Sequence, residues 1–407
     1  MTNTATSGTA STSLDSNASR CPVLADFNPS AGNRRPGEWI ATYDGLRAQH
    51  RWIRSEVGPR GFYLPTRYDD ILEILQSPDR FTNEAVTIFD PEPAYKWIPL
   101  MLDPPEHTEW RRLLAPFFSP SAIKKLDKRI QGRAIDLIDP LVDRGECDYL
   151  TDFAQLFPTT IFLEIFGLPG SELDRFMQWE KAILHGDPTT PEGHEIFQTS
   201  MDEVVAYFQE LIVTRRSERG EDLLSYALNF EIDGQPVTAP DLLALCLLMF
   251  LAGLDTVTHA LTYSMYHLAR HDADREVIVS DPTSVPGAVE EFVRAYNIVI
   301  SARKAAVDTT VGGLQFKAGD MVSIIYNSAT RGQEDDGTEF RIDRGNNSHL
   351  GFGAGPHRCL GSHLARRELA VAITEWHRRI PHYRLADEDI VEHGGILGLD
   401  RLPLVWS

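Results

Sequence analysis

The sequence predicts a mainly α-helical protein that also contains a few short β-strands. Apolar residues recur every three or four positions, with glycine or proline near the end, in four segments: 69–77, 121–145, 159–170 and 194–220. A fifth segment begins with Pro240 and Asp241, which suit a first helical turn, and meets no breaker except Gly253 before about Arg270. A helix of that length spans about 45 Å and would cross the whole molecule.

Two regions carry strand signals. Arg60–Tyr68 alternates aromatic and aliphatic residues between Gly and Pro, and Thr309–Tyr326 contains two short strands joined by a Lys-Ala-Gly-Asp turn. Small sheets are therefore expected beside the helices. Because no repeat of solenoid or propeller period and no linker after residue 40 divides the chain, we expect residues 26–407 to form a single domain.

The most polar and the most apolar segments of the sequence both indicate a water-soluble protein. The first twenty residues are almost all small and polar, so residues 1–25 are expected to form a disordered N-terminal tail. The longest apolar stretch, Leu242–Leu254, is a 13-residue run, whereas spanning a bilayer takes about 20 residues. It is predicted to be a buried helix, and no membrane partner is expected.

Composition narrows the classes of function. The 407 residues include 39 Lys and Arg against 59 Asp and Glu, a formal net charge of −20 that repels nucleic acid and anionic lipid surfaces. Four cysteines form neither a disulfide framework nor a CxxC pair: Cys21, Cys147, Cys246 and Cys359. A reducing cytoplasm fits this pattern best.

A glycine-rich turn stands immediately before one of these cysteines. Gly351, Gly353 and Gly355 allow positive φ and close backbone approach, and Cys359 then precedes a helix-forming run whose N-terminus favours a thiolate. Three other interpretations of this turn stay open: a phosphate-binding loop, a zinc site that includes His363, and an inert buried cysteine.

The same turn, FGAGPHRCLG, resembles the haem-ligand signature F-G-x-G-x-H-x-C-x-G of the cytochrome P450 family. The matching positions are Phe352, Gly353, Gly355, His357, Cys359 and Gly361. The resemblance implies a cytochrome P450 fold, a helical bundle around haem b with a long central helix, and it implies Cys359 as the axial ligand of the haem iron. A thiolate ligand favours O–O cleavage.

Three further segments are similar to motifs of that family. Asp255 and Thr256 match the oxygen-activation pair of the long helix, although a threonine bonded back to its own helix beside a solvated aspartate is the plain alternative. Glu291 and Arg294 match the family's E-x-x-R, with Arg344 as the third member of an ion-paired core contact. The resemblance assigns the haem propionates to four cationic or imidazole side chains: His107, Arg111, Arg303 and His357.

From about Tyr68 to Trp406 the chain is similar to the camphor 5-monooxygenase branch, which comprises soluble bacterial class I enzymes. That similarity implies Tyr95 as a hydrogen-bond donor to the substrate, with a packing role beside Trp97 as the alternative. An apolar pocket is expected to be lined by Thr87, Leu248, Leu251, Ala252, Val299, Ile300 and Leu397. Ser301, and a shorter segment 86–93, depart from the branch and weaken the camphor assignment.

The resemblance implies hydroxylation of an unactivated C–H bond in a small terpenoid or norisoprenoid ketone or alcohol by O2. Two electrons would come from an acidic 2Fe–2S ferredoxin and its reductase, because no flavin or iron–sulfur segment is present in the chain. The expected docking face is basic and comprises Arg111, Arg112, Lys124, Lys125, Lys128 and Arg358. A peroxide-using haem-thiolate enzyme and a non-catalytic haem sensor are the alternatives.

Overall fold

The computed structural model describes residues 21–184, 190–333, 337–345 and 348–407. Within these ranges the fold is mainly helical. The α-helices are α1 (Glu38–Gln49), α2 (Tyr68–Leu75), α3 (Glu106–Leu114), α4 (Pro120–Val142), α5 (Leu156–Ile165), α6 (Leu173–Leu184), α7 (Pro191–Ser217), α8 (Leu223–Ala227), α9 (Ala239–Gly253), α10 (Asp255–Arg270), α11 (Asp272–Ser280), α12 (Val285–Ala295), α13 (Tyr326–Arg331) and α14 (Ser362–Arg379). The four amphipathic segments of the sequence correspond to α2, α4, α5 and α7.

The strands are short. They are β1 (Asn33–Arg34), β2 (Trp52–Ser55), β3 (Phe62–Pro65), β4 (Phe81–Thr82), β5 (Glu146–Asp148), β6 (Glu231–Ile232), β7 (Gln235–Pro236), β8 (Ile300–Ala305), β9 (Thr309–Val311), β10 (Leu314–Phe316), β11 (Met321–Ile325), β12 (Arg384–Leu385), β13 (Glu392–His393), β14 (Gly398–Leu399) and β15 (Pro403–Val405). The largest sheet has the order β2-β3-β11-β8-β4, with β3 and β11 parallel and its other neighbours antiparallel. Smaller sheets have the orders β1-β13-β14 and β12-β15-β5, and β9/β10 and β6/β7 pair separately.

The predicted strand regions contain strands, but the pairing differs from a simple hairpin. Phe62–Pro65 lies within the first predicted region, and β10 and β11 flank the expected turn at Lys317–Asp320. β10 pairs with β9, whereas β11 joins β3 and β8 in the large sheet. The reason is the Gly312-Gly313 turn, where both φ angles are positive and favour a tight two-residue hairpin between β9 and β10.

The predicted long central helix is present over residues 239–270 and is interrupted at one residue, Leu254. α9 ends at Gly253, and α10 begins at Asp255. Thr256 Oγ1 donates to the carbonyl of Ala252 (3.0 Å) and Thr258 Oγ1 to that of Leu254 (3.1 Å). Side-chain hydroxyls that donate to a carbonyl four residues earlier often bend a helix. Gly253, at the same point, has a low helix propensity and weakens the helix further.

Aromatic side chains and buried aliphatics hold this central helix in the core. Phe250 on α9 contacts three other phenylalanines, with ring centroids 5.7 to 6.4 Å apart, on three surrounding helices: Phe162 on α5, Phe176 on α6 and Phe208 on α7. Residues 239–270 are apolar and long enough to cross a bilayer, but 56% of their most apolar window is buried inside the fold. That burial is the environment of a core helix in a water-soluble protein.

The N-terminal boundary also differs from the expectation. Residues 1–20 lie outside the described residues, but residues 21–25, which were expected to belong to the tail, are part of the fold. Cys21 is buried, Leu24 N–H donates to the carbonyl of Arg54, and Arg54 N–H donates to that of Pro22. These bonds extend the edge of β2, so residues 21–25 belong to the fold.

Candidate active site

The turn that carries Cys359 is closed by its own backbone. Cys359 N–H donates to the carbonyl of Phe352 at 2.7 Å, and Gly353 N–H donates to that of Leu350 at 2.8 Å. Gly353 (φ +70°) and Gly355 (φ +65°) occupy the left-handed region that the glycine pattern predicts. The turn therefore presents Cys359 at its end, just before α14.

The glycines of this turn also allow neighbouring helices to pack closely against it. A Cβ atom on Gly355 would lie 2.2 Å from the carbonyl oxygen of Leu75, so α2 packs directly on the turn. A Cβ on Gly351, whose φ is not positive, would lie 2.5 Å from Val293 Cγ1 on α12. The turn is thus wedged between two helices, with no space for side chains at either point.

A carboxylate clamp fastens the turn to α12 and α14. Glu290 accepts two hydrogen bonds from Arg366 (2.5 and 2.9 Å) and lies 3.1 Å from His349 Nε2, while His349 Nδ1 accepts from Gly351 N–H. The Arg366 guanidinium lies 4.3 Å above the Phe352 ring. Although burial raises it, the bonds from His349 and Arg366 lower the pKa of Glu290 to about 2. Glu290 is therefore an anion that holds the turn in place.

The Cys359 thiol is accessible, although protein surrounds it on most sides. Burial raises the pKa of this thiol and opposes the expected effect of the helix N-terminus. A hydrogen bond from the backbone of Gly361 and the charges of Arg111, Arg358 and Arg366 act in the opposite direction and lower that pKa. One backbone donor and three guanidiniums suit a sulfur anion, the form that a bound metal ion selects.

The four residues assigned to the haem propionates lie together. Burial, followed by the charges of His107, Arg303 and Arg111, lowers the pKa of His357 to about 2. The His107 and His357 rings are 4.0 Å apart, and burial together with Arg111 lowers the pKa of His107 to about 4. Arg111 lies on α3 with His107, and Arg303 lies on β8 opposite Val322. Three separate elements thus contribute to one cationic cluster.

This cluster fits an anionic ligand. Among the described residues, His107 Nδ1 and His357 Nε2 are buried and have no hydrogen-bond partner. Asp103 Oδ1 lies 3.9 Å from His357 Nε2, beyond hydrogen-bond distance, and that carboxylate accepts bonds from Thr82 and Asn83. Buried donors without acceptors are costly unless a ligand supplies them. Two carboxylates of a haem would satisfy the two imidazoles and the neighbouring guanidiniums.

The junction between α9 and α10 offers a second accessible surface. Ala252 and Gly253 are accessible within an otherwise buried apolar helix, and Thr256 is half-buried. Asp255, in contrast, is 1% exposed and lies 3.0 Å from His259 Nε2, so it is not on a solvated face. The alternative interpretation therefore holds for Thr256, whose hydroxyl donates to its own helix, but not for Asp255, which is buried.

The expected substrate-pocket residues are only partly grouped. Leu397 N–H donates to the carbonyl of Ile298, which brings it beside Val299 and Ile300. Leu251, Val299, Ile300 and Thr87 are half-buried, Leu248 is buried, and Leu397 is fully buried within the core. Tyr95 is 42% exposed and its ring lies 4.9 Å from that of Trp97. Tyr95 therefore packs beside Trp97 and stays accessible, so its role as a hydrogen-bond donor to the substrate remains a prediction.

Two members of the expected basic face lie at the Cys359 turn, because Arg358 belongs to it and Arg111 contacts it. Arg111 Nη2 donates to the carbonyl of Arg358 at 2.5 Å and thereby joins α3 to the turn. Arg112 is exposed and pairs with Glu109 at 3.2 Å, one turn away on α3. The lysines of this face are exposed on α4: Lys124, Lys125 and Lys128.

The expected core ion pairs are present. Arg294 donates to both oxygens of Glu291 (2.6 and 2.7 Å), and Arg344 Nε lies 3.2 Å from the same carboxylate. All three side chains are buried. Arg294 also donates to the carbonyls of Gly337 and Glu339, so this group ties α12 to the segment that leads to the Cys359 turn.

Three residues at the site were missed from the sequence. His259, four residues after Asp255 on the same helix face, could have been found from that spacing. Glu180 on α6 is buried, and Asp255 is the charged group that acts on it. Glu290 stands beside Glu291, and only the fold brings it to His349 and Arg366. The latter two have no local sequence signal.

Comparisons with known proteins agree with this geometry. Residues 50–274 and 285–379 match the family model described as Cytochrome P450. The chain is 33% identical to the probable cytochrome P450 127A1 of Sinorhizobium fredii (86% of this chain, 84% of that protein) and 32% identical to the steroid C26-monooxygenase of Mycolicibacterium smegmatis (89% and 93%). The solved structure of CYP101J2 superposes with a TM-score of 0.85 at 29% identity, covering 95% of this chain and 97% of that one. The chain therefore belongs to the cytochrome P450 family, and it is a monooxygenase with haem b as its cofactor.

Proposed function

We propose that this protein hydroxylates an unactivated C–H bond of a small apolar substrate, with Cys359 as the axial ligand of the haem iron. The observation that carries the proposal is the cluster of His107, Arg111, Arg303 and His357 beside the Cys359 turn, with buried imidazole nitrogens that have no acceptor in the described part of the chain. These side chains would hold the propionates, and Phe352, Gly353 and Gly361 would shape the turn around the sulfur. When bound, the haem supplies O2 activation.

The protein's own contribution to oxygen chemistry is proton delivery and exclusion of water. Asp255 and Thr256 are the proposed catalytic residues. The Thr256 hydroxyl donates its proton to the carbonyl of Ala252, which leaves its oxygen lone pairs to accept a hydrogen bond from a ligand or water in the cleft. Asp255 is buried next to it, where a carboxyl group can pass a proton without full solvation.

For the substrate we propose a terpenoid or norisoprenoid ketone or alcohol such as a camphor-like compound. The half-buried apolar side chains of Leu251, Val299 and Ile300 would supply affinity, and the Tyr95 phenol would orient one oxygen atom. Titrating the haem protein with such compounds should displace the iron-bound water and shift the Soret band. A Tyr95→Phe variant should then bind oxygenated ligands about tenfold more weakly but hydrocarbons equally well, as loss of one hydrogen bond predicts.

A second substrate class comes from the relatives. The names of two similar mycobacterial proteins, a steroid C26-monooxygenase and a methyl-branched lipid omega-hydroxylase, refer to larger apolar molecules. Tyr95 is exposed, so this wall is open toward solvent and could admit a longer chain. The titration therefore includes a steroid and a branched fatty acid. A Soret shift with these and not with terpenoids would replace the first proposal by the second.

We propose an acidic 2Fe–2S ferredoxin, served by its reductase in the cytoplasm, as the electron donor. Arg112 on α3, Lys124, Lys125 and Lys128 on α4, and Arg358 in the turn are exposed, on a protein whose net charge is −20. Local basic charge would attract an acidic partner at low salt. Arg112→Glu should slow electron transfer about tenfold and leave substrate titrations unchanged, whereas Arg216→Glu on α7 is the matched control. Equal rates for both variants would contradict this docking face.

The visible spectrum of the reduced, CO-bound protein tests the ligand assignment. Thiolate ligation gives a strongly red-shifted Soret band, which Cys359→Ala should abolish and Cys359→His should convert to a histidine-type spectrum. A wild-type protein that shows the band but turns over only with peroxide would be a peroxide-using enzyme. One that turns over under neither condition would support a haem sensor. A histidine-type spectrum in fresh wild type would contradict the role of Cys359.

A further inference from the structure

A buried histidine contacts the oxygen-activation segment of the central helix. His259 is 4% exposed, Asp255 is 1% exposed, and His259 Nε2 lies 3.0 Å from Asp255 Oδ1. The two residues are four positions apart on α10 and therefore share one face of that helix. Because a carboxylate accepts hydrogen bonds and does not donate them, the proton between the two side chains belongs to His259 Nε2. The imidazole is thus a hydrogen-bond donor to Asp255 inside the core.

This donor determines where the Asp255 carboxyl group lies. Asp255 is the first residue of α10 and directly follows the interruption at Leu254. The next residue, Thr256, is half-buried, and Gly253 on the other side of the interruption is accessible. A buried carboxylate without a donor is strongly unfavourable, so Asp255 released from His259 would turn toward water near Gly253 or take up a proton. The bond to His259 therefore keeps the carboxyl group in the core next to Thr256.

Two strands in turn hold the imidazole. A Cβ atom on Gly398, in β14, would lie 2.3 Å from His259 Cε1 and 2.7 Å from each ring nitrogen. The ring therefore lies against the backbone of β14, where only a glycine leaves room for it. One turn further along α10, Tyr263 donates to Glu392 of β13 at 2.5 Å, and β13 pairs with β14. These contacts leave the imidazole little freedom to swing away from Asp255.

We infer that His259 is a positioning residue for oxygen activation, which holds the Asp255 carboxyl group beside Thr256 so that protons reach the cleft from a group of fixed orientation. The inference rests on the proposed role of Asp255 and Thr256 and extends it by one residue. His259 keeps its Nε2 proton throughout, because the hydrogen bond orients Asp255 and takes no part in the transfer. A pair that only stabilised the fold would leave proton delivery unchanged, and this difference can be measured.

Nitrogen NMR of isotope-labelled histidines tests the hydrogen bond without turnover. In the reduced, CO-bound holoenzyme at neutral pH, the His259 signals are those that disappear in His259→Gln. Nε2 should carry a proton, and this proton should resonate downfield of an imidazole N–H in water, as a hydrogen bond to a carboxylate predicts. The downfield shift should be lost in Asp255→Ala. An unprotonated Nε2, or a His259 signal that Asp255→Ala leaves unchanged, would overturn the inference.

Turnover then separates positioning from a structural role. His259→Phe keeps a ring against Gly398 but has no donor, so turnover driven by O2 and reductant should fall about tenfold or more, with a larger solvent isotope effect. His259→Gln, whose amide N–H can reach the same carboxyl oxygen, should recover the rate to within about threefold of wild type. Hydrogen peroxide already carries the two protons that O2 must acquire, so peroxide-driven turnover should stay within about twofold in both variants. His194→Gln, an exposed histidine on α7, is the matched control.

A second variant moves the imidazole without changing its chemistry. In Gly398→Ala the new methyl group would occupy the place of the His259 ring, so the ring must shift. This variant should show the same direction of change as His259→Phe: a smaller downfield shift of the Nε2 proton, a slower O2-driven reaction and a larger isotope effect. It also tests the inference if His259→Phe does not fold. A displaced His259 signal with a wild-type O2-driven rate would overturn the positioning role.

The other outcomes are equally distinct. O2-driven rates and isotope effects equal to those of wild type in His259→Phe would overturn the inference, as would an equal loss in the peroxide-driven reaction, which indicates a packing defect. If the wild type consumes no O2 but uses peroxide, the proposed function fails and the positioning role fails with it, although the NMR signature of the hydrogen bond can still be present. The NMR result and the wild-type O2 rate together distinguish the two failures.

Discussion

Replacing Glu290 by glutamine should lower the free energy of unfolding by about 3 kcal/mol at pH 7. In the folded protein the bonds from His349 and Arg366 outweigh burial and bring the pKa of Glu290 from its ordinary 4.5 to about 2. At 1.36 kcal/mol per pH unit this difference corresponds to about 3 kcal/mol. The Glu290 side chain is 25% exposed, so solvent screens the clamp only in part.

The dependence on pH identifies the cause. Because the folded-state pKa is lowered, the stabilisation is fully present above pH 4.5 and is lost as the pH falls toward 2. Urea unfolding of wild type and Glu290→Gln can be followed by tryptophan fluorescence at pH 7, 5 and 4. The difference in free energy of unfolding between the two proteins should be nearly constant at pH 7 and 5 and smaller by about 1 kcal/mol at pH 4.

The control for this experiment is Glu388→Gln. Glu388 is 79% exposed and lies 3.4 Å from Arg270, so its removal should change stability by less than about 0.5 kcal/mol. A Glu290→Gln protein as stable as wild type would refute the clamp. If the difference in free energy of unfolding between wild type and Glu290→Gln is unchanged at pH 4, the lost stability comes from packing and not from the charge of Glu290.

Two further substitutions test the frame around the Cys359 turn. In thermal melts, Gly355→Ala should destabilise the protein by about 2 kcal/mol or more, because the new Cβ would meet the carbonyl of Leu75 at 2.2 Å in a left-handed conformation. Gly361→Ala, where nothing lies within 4 Å, should be nearly neutral in the same melts. Glu291→Gln should cost about 3 to 5 kcal/mol in urea unfolding, since Arg294 and Arg344 would remain buried with a neutral acceptor. Wild-type stability in this variant would show that the two arginines do not depend on the charge.

Local chemistry made the Cys359 turn and most helices predictable. Gly353 and Gly355 have the positive φ that their spacing predicts, and Glu291 and Arg294 are one turn apart on any helix. His107 and Arg111 likewise share a helix face. In each case the residues lie within a few positions of one another, so the geometry of a single turn or helix determines which of them come together.

Features that depend on contacts between elements were not predictable. The interruption at Leu254 depends on threonine hydroxyls that donate hydrogen bonds to backbone carbonyls. The spacing of apolar residues does not show which threonines form such bonds. The partners of β11 depend on strands far along the chain. The exposure of Tyr95 depends on the course of an irregular segment with no period to read.

The strand order of the largest sheet has a consequence for how the chain folds. Its neighbours β3 and β11 are Phe62–Pro65 and Met321–Ile325, so their pairing must close a loop that contains most of the helices. Closing so long a loop costs conformational entropy before the pairing returns any stabilisation, and high contact order slows folding. Arg303 lies on β8 in this same sheet, one strand beyond β11. The cationic cluster therefore cannot be complete until this late sheet forms, and haem capture should be among the last steps of folding.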